Sequence, residues 1–249
     1  MSHSDQREEL GESSLEISER PLPRRVTDLF FSRESGMAFF LAFLVLSTIF
    51  VPMVTLSQVG RLALALVFVL TNIFGAFATI HHTVIKYLVV ALTMLAGVVG
   101  LISELAPTPG ALLLDTALKL ACLAILVLMT LKRILRPGPV TAYRVMGGIA
   151  GYLLIGMTWT FGYQLVVQQT PDAIHLGARV IESSRHNDLM YFSFVTLTTV
   201  GYGDVYPVYP TVRSLAVAEA LVGQLYLAIL IASLVGMALQ DKSAHVTGE

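Results

Sequence analysis

The chain has 249 residues, of which 55% are hydrophobic and only 13% are charged. A soluble domain carries about a quarter charged residues, so this composition excludes an ordinary soluble protein and predicts a polytopic membrane protein. The net charge of −1 leaves no basic excess to hold phosphates, and we expect no nucleic-acid partner. Cys122 is the only cysteine, so the chain can form neither an intrachain disulfide nor a cysteine cluster for a metal.

The first 36 residues are polar and carry charges of both signs. Residues 1–36 are therefore predicted to be a mostly disordered cytoplasmic tail. Within it, residues 26–31 are a candidate for a short amphipathic turn at the membrane surface. A specific binding role for the tail is the alternative.

Six apolar segments follow, and each is long enough to cross about 30 Å of hydrocarbon. The predicted spans are Met37–Leu56, Leu62–Ile80, Thr83–Ile102, Ala111–Leu131, Tyr143–Val167 and Val212–Leu239. The link between the last two spans, Gln168 to Thr211, is too long for a tight turn.

The distribution of basic residues predicts the orientation of these spans. The links after the second and fourth spans are basic, whereas the links on the opposite side hold little charge. The residues concerned are Lys86, Lys132, Arg133, Arg136 and Arg144 on one side, against Arg61 and Glu104 on the other. We therefore expect a multi-pass protein of the plasma membrane (the inner membrane, if bacterial) with both termini in the cytoplasm.

The long link contains the string TTVGYGD at residues 198–204. This string resembles the selectivity filter of the potassium-channel family, in which backbone carbonyls replace the hydration shell of the ion. The resemblance implies an all-α membrane protein with six transmembrane helices, and a re-entrant pore helix and filter loop between the fifth and sixth. A single strand cannot ring an ion, so a closed assembly of copies is needed, and the resemblance makes it a homotetramer.

The resemblance also implies a potassium-selective channel that conducts K+ passively. It implies no cofactor, with K+ as the permeant ion, and no partners beyond its own copies, membrane lipids and K+. No spaced nucleophile and base suggest an enzyme. Two other functions stay open at this point: a poorly selective cation channel, and a non-conducting or regulatory membrane subunit.

Each residue of the string has an expected role. The expected K+ ligands are Thr199, Val200, Gly201, Tyr202 and Gly203. The two glycines permit φ > 0, which aims successive carbonyls at a common axis. Thr199 would add its hydroxyl at the inner end, while the Val200 and Tyr202 side chains would point away from the axis. The supports expected at the ends of the string are Thr198 and Asp204.

The stretch Asn187–Thr198 is predicted to be the pore helix, after an exposed outer turret at 168–186. Asn187 is the predicted N-cap, and Asp188 suits the first turn. An ordinary re-entrant packing helix would have the same sequence features.

A second carboxylate is predicted to support the filter. Several family members place an acid in the pore helix behind the filter, but this sequence has Val195 there, so the usual partner of Asp204 is absent. Glu219 is a lone carboxylate in the last span and should face protein. We expect it to brace the filter by accepting a hydrogen bond from Thr196 or Tyr191. A pair with a basic residue of another span is the alternative.

The last span and the outer mouth supply further candidates. Gly223 lies where the resembling family has a hinge, although a glycine can also serve close helix packing. Ile231, Val235 and Leu239 form one apolar stripe and a candidate gate, or else ordinary packing residues. Tyr206 is a candidate aromatic ligand for tetraethylammonium at the outer mouth, or else a structural tyrosine.

The four peripheral spans, residues 37–136, resemble a voltage-sensor-like domain but lack its arginine array. Asp115 and Lys119 are the only charges of the fourth span and are spaced to pair on one helix face. We therefore expect weak or no voltage dependence. The pore domain is predicted at 137–240 and a short cytoplasmic tail at 241–249.

Overall fold

The computed structural model describes residues 33–54, 58–80, 82–136, 138, 140–177, 179–180 and 186–246. The predicted tail turn at 26–31 lies outside these residues. The described elements are α1 (Arg33–Val54), α2 (Gln58–Thr79), α3 (Thr83–Leu105), α4 (Pro109–Ile134), α5 (Ala142–Gln169), β1 (Ile174–Leu176), β2 (Arg179–Val180), α6 (His186–Leu197), β3 (Val205–Pro207) and α7 (Pro210–Val246).

Within the described residues, four helices are long and apolar enough to cross a membrane. These are α3, α4, α5 and the part of α7 up to Leu239. The first two predicted spans correspond to α1 and α2, whose apolar stretches, Ser35–Phe50 and Leu64–Thr79, are shorter. A helix satisfies its own backbone hydrogen bonds, which is why apolar segments of this length adopt it in lipid.

The start of α4 shows how local sequence sets a boundary. The Thr108 hydroxyl accepts a hydrogen bond from the backbone N–H of Ala111 at 3.2 Å, and Pro109 occupies the first turn, where no intrahelical donor is needed. Further along the helix, Lys119 Nζ lies 2.6 Å from Asp115 Oδ2, which confirms the predicted pair.

The peripheral helices pack against α5 through one apolar core. Its buried members come from α1, α2, α3, α4 and α5: Met37, Phe40, Leu44, Phe68, Ala96, Cys122, Leu123, Leu126, Tyr143, Ala150, Leu154 and Phe161. At one edge of this core, Arg133 donates to the carbonyl of Thr79 at 3.1 Å and lies over the ring of Tyr143. A cation at the carboxyl end of α2 is favourable because the unpaired carbonyls there carry partial negative charge.

A small antiparallel sheet, ordered β2-β1-β3, joins the chain on either side of the TTVGYGD segment: β1 and β2 precede α6, and β3 directly follows residue 204. The register pairs His175 with Tyr206 and Leu176 with Val205. The prediction was an all-α fold with an exposed turret here; the seven described helices agree with that fold class, and this small sheet is the departure from it. The strands were missed because they are two or three residues long and pair across a long loop. Their effect is to hold the chain that leaves residue 204.

Candidate functional site

Helix α6 begins one residue earlier than predicted. Because it starts at His186, Asn187 lies inside the first turn and is not the N-cap, which corrects that prediction. Asp188 does lie in the first turn, where its charge suits the helix dipole. The helix ends at Leu197, which is fully buried.

The TTVGYGD segment folds back on the end of α6. The carbonyl of Val195 accepts hydrogen bonds from the backbone N–H groups of Val200 at 3.0 Å and Gly201 at 3.3 Å. The N–H of Thr199 donates to the carbonyl of Thr196 at 2.9 Å. The last carbonyls of the helix are thereby satisfied by the segment that follows it.

Every second residue of this segment has a left-handed backbone. The φ angles are 58° at Thr199, 55° at Gly201 and 79° at Gly203. The two glycines have the positive φ that the sequence predicted. Thr199 has a Cβ, so its left-handed backbone costs about 1–2 kcal/mol. A positive φ at alternate residues directs successive peptide groups to one side of the chain.

Asp204 is fixed at the outer end of the segment. The Tyr191 hydroxyl donates to its two carboxylate oxygens at 3.1 and 3.0 Å, and the N–H of Val205 donates to Oδ1 at 3.0 Å. The rings of Tyr191 and Tyr202 are parallel with centroids 6.5 Å apart. Tyr191 therefore supplies Asp204 with the partner that the sequence lacked at position 195.

Glu219 is completely buried where three helices meet. Its Oε2 accepts from the Tyr163 hydroxyl of α5 at 2.6 Å, and its Oε1 lies 2.6 Å from the Ser193 hydroxyl of α6. The carboxylate thus lies behind α6, as predicted, but its partners are not Thr196 or Tyr191. The basic partner considered as the alternative is also not found among the described contacts.

Gly223 packs directly on the end of α6. A Cβ at this position would overlap the carbonyl oxygen of Leu197, and α7 continues unbroken through the glycine. The close-packing interpretation of Gly223 therefore has a geometric basis, and the hinge remains a prediction. The same carbonyl of Leu197 accepts from the Tyr152 hydroxyl at 3.2 Å.

The next residue, Gln224, was missed by the sequence reasoning. Its Nε2 donates to the hydroxyl oxygen of Thr199 at 3.1 Å. The sequence did offer a signal for it. Between Leu221 and Leu230, Gln224 carries the only carboxamide, and Tyr226 is the only other residue with a polar side-chain atom.

The remaining candidates lie on two surfaces. Ile231, Val235 and Leu239 are all exposed along one face of α7. Tyr206 is half exposed, and its hydroxyl donates to the carbonyl of Gly177 at 3.1 Å.

A comparison with protein families found a match over this region. Residues 155–240 match the family model described as "Ion channel". A comparison with curated proteins found no match. The matched segment runs from α5 to α7 and includes α6 and TTVGYGD. The match supports an ion-channel domain at residues 155–240, and the long apolar helices indicate a multi-pass membrane protein.

Proposed function

We propose that the protein is a potassium-selective channel that conducts K+ passively through a homotetrameric pore. One observation carries the proposal: φ is positive at every second residue of an intact TTVGYGD string. Carbonyls turned to one side of four such strands would surround a dehydrated cation. In this proposal α6 is the pore helix, and the filter ligands run from Thr199 to Gly203.

The surfaces of the isolated chain support an assembly of copies. In the most apolar stretch of α5, 50% of the residues are buried within the chain, whereas in that of α7 only 6% are buried. Tyr202 is 73% exposed and Val200 is 53% exposed, although both were expected to pack behind the filter. Neighbouring copies would cover these side chains and surround α7, with Ile231, Val235 and Leu239 meeting near the cytoplasmic end.

The helix ends favour a cation on the axis. If α6 is re-entrant, its carboxyl end lies at the inner end of the filter, and four helices would direct partial negative charge at the cavity. Six spans with both termini in the cytoplasm would let the filter loop enter from outside. Gly223 would then lie beside the inner end of the filter, where a bend of α7 opens the pore.

Ion flux from liposomes tests this function. Purified protein reconstituted into vesicles with a K+ gradient should release K+ and leave a Na+ gradient intact. Comparable fluxes would favour a poorly selective channel, and the absence of both would favour a non-conducting subunit. The intact filter string favours the selective channel over both alternatives.

We expect the open probability to depend only weakly on voltage. Moving one elementary charge across the membrane potential changes the energy by about 2.3 kcal/mol per 100 mV. Lys119 and Asp115 are bonded on the same helix, so their combined charge is zero, and moving them together through the field does almost no work. The measurement is open probability against voltage for the wild type and Lys119→Gln. A steep wild-type curve that shifts in the variant would refute this expectation.

External tetraethylammonium should block the channel through Tyr206. Four tyrosine rings around a quaternary ammonium form a cation–π site, and this ring lies just beyond the outer end of the filter. The hydrogen bond from its hydroxyl to Gly177 and its position in β3 already fix the ring, so little conformational entropy is lost on binding. Tyr206→Val should weaken block roughly tenfold, about 1.4 kcal/mol.

The matched control for this experiment is Tyr209→Val, which changes another exposed tyrosine of the same outer surface. Equal block of the wild type and Tyr206→Val would leave Tyr206 as a structural tyrosine.

A further inference from the structure

The inner helix α7 lies along the pore helix α6 in a defined register. Glu219 meets Ser193, and one turn later Gly223 meets the carbonyl of Leu197. Both contacts are in buried positions, so the two helices cannot slide past each other without breaking them. This register sets the position of Gln224, the first residue of α7 after Gly223.

The Gln224 side chain ends at the hydroxyl of Thr199. Nε2 donates to Oγ1 at 3.1 Å, so the amide hydrogen occupies one of the two lone pairs of that oxygen. Gln224 is otherwise exposed, and this bond orients an exposed amide toward the TTVGYGD segment. The partially positive end of the amide dipole therefore lies against the oxygen expected to hold the innermost ion.

We propose that Gln224 is a positioning residue that weakens the innermost K+ site by donating a hydrogen bond to Thr199. The inference rests on the proposed function. A hydroxyl oxygen that already accepts an N–H bond offers less negative charge to a cation, and the amide dipole also opposes the cation directly. Conduction needs sites that bind an ion well enough to admit it and weakly enough to release it. Gln224 would hasten the exchange of ions between filter and cavity.

Block by Ba2+ from the cytoplasmic side tests the proposal, because this divalent ion amplifies any change in charge at the innermost site. Gln224→Leu removes the donor while roughly preserving size. It should tighten Ba2+ block by roughly fivefold and lower the unitary K+ conductance. Gln224→Glu replaces the donor by an acceptor and a negative charge, and it should tighten the block further.

Two controls separate this effect from a general disturbance. Gln169→Leu makes the same change at an exposed glutamine whose side chain donates to the carbonyl of Leu165 in its own helix at 3.4 Å, and its block should equal that of the wild type. In a Thr199→Val background, which lacks the hydroxyl, Gln224→Leu should cause a much smaller change, because only the direct effect of the amide dipole on the cation remains.

The outcomes distinguish the inference from the function beneath it. If the wild type conducts K+ selectively but Gln224→Leu alters Ba2+ block by less than about twofold, the role of Gln224 is refuted and the channel function stands. An unchanged Gln224→Leu effect in the Thr199→Val background would also refute it. A wild type that conducts no K+ would refute the proposed function and this inference together.

Discussion

Replacing Gly201 or Gly203 with alanine should abolish selective K+ conduction. Both residues have φ in the left-handed region, at 55° and 79°, where a Cβ is unfavourable. The space around each glycine is open within the chain, so the expected effect comes from backbone strain and not from a collision. An alanine would favour a rotated peptide group, which turns its carbonyl away from the ion.

Symmetry makes this effect large. The fold tolerates a strain of about 1–2 kcal/mol at one left-handed residue of each strand, since Thr199 has a φ of 58°. An alanine adds a second cost of this size to that of Thr199, and in a tetramer the addition occurs in all four strands around one ion. The total of roughly 4–8 kcal/mol is enough to shift the filter to a non-conducting arrangement.

Gly177 provides the matched control for this experiment. It has φ of 56° and open space around it, but it lies after β1 and supplies no ion ligand in the proposal. Gly177→Ala should therefore conserve the preference for K+ over Na+ in the flux assay. If Gly201→Ala and Gly203→Ala both conduct with unchanged ion preference, the assignment of the filter is wrong.

Replacing Glu219 with alanine should shorten the time for which the filter stays conductive. The change leaves the buried hydroxyl of Tyr163 without the acceptor it has in the wild type, at about 1–3 kcal/mol, and it opens a cavity behind α6. Glu219→Gln should have a smaller effect, because an amide can accept from Tyr163 and donate to Ser193. Ser193 can then donate to the carbonyl of Gly156, which lies 2.8 Å away. Both variants should keep the preference for K+.

Two tyrosines of α5 give a matched pair of controls. Tyr163→Phe removes one donor to Glu219, whereas Tyr143→Phe removes one donor to the carbonyl of Ala78, far along the same helix. Only Tyr163→Phe should shorten the open bursts of single channels. Bursts of wild-type length in both Glu219 variants would refute the bracing role.

The parts of the fold that depend on local sequence could be predicted. Apolar length located the helices, and the alternating glycines indicated positive φ at Gly201 and Gly203. Thr199 could not be predicted in the same way, because threonine has no intrinsic preference for the left-handed region. The start of α6 was displaced by one residue, since Asn187 is a good cap in isolation and the choice between neighbouring starts depends on packing.

The contacts between distant segments could not be predicted. Tyr163 lies 56 residues before Glu219, and no sequence pattern links the two. A buried acid predicts that donors exist, but only the register of α6 on α7 selects Ser193 over Thr196. The collision at Gly223 and the bond from Gln224 follow from the same register. The sheet that pairs β1 with β3 depends on a loop closure of the same non-local kind.

The reversal potential under bi-ionic conditions tests the central claim most directly. Purified wild-type protein in a planar bilayer, with K+ on one side and Na+ on the other, should give a reversal potential displaced toward the K+ equilibrium. Each tenfold of selectivity displaces it by about 59 mV, so a hundredfold preference for K+ corresponds to roughly 120 mV. A K+-selective channel predicts at least that displacement, and a reversal potential near zero would contradict it.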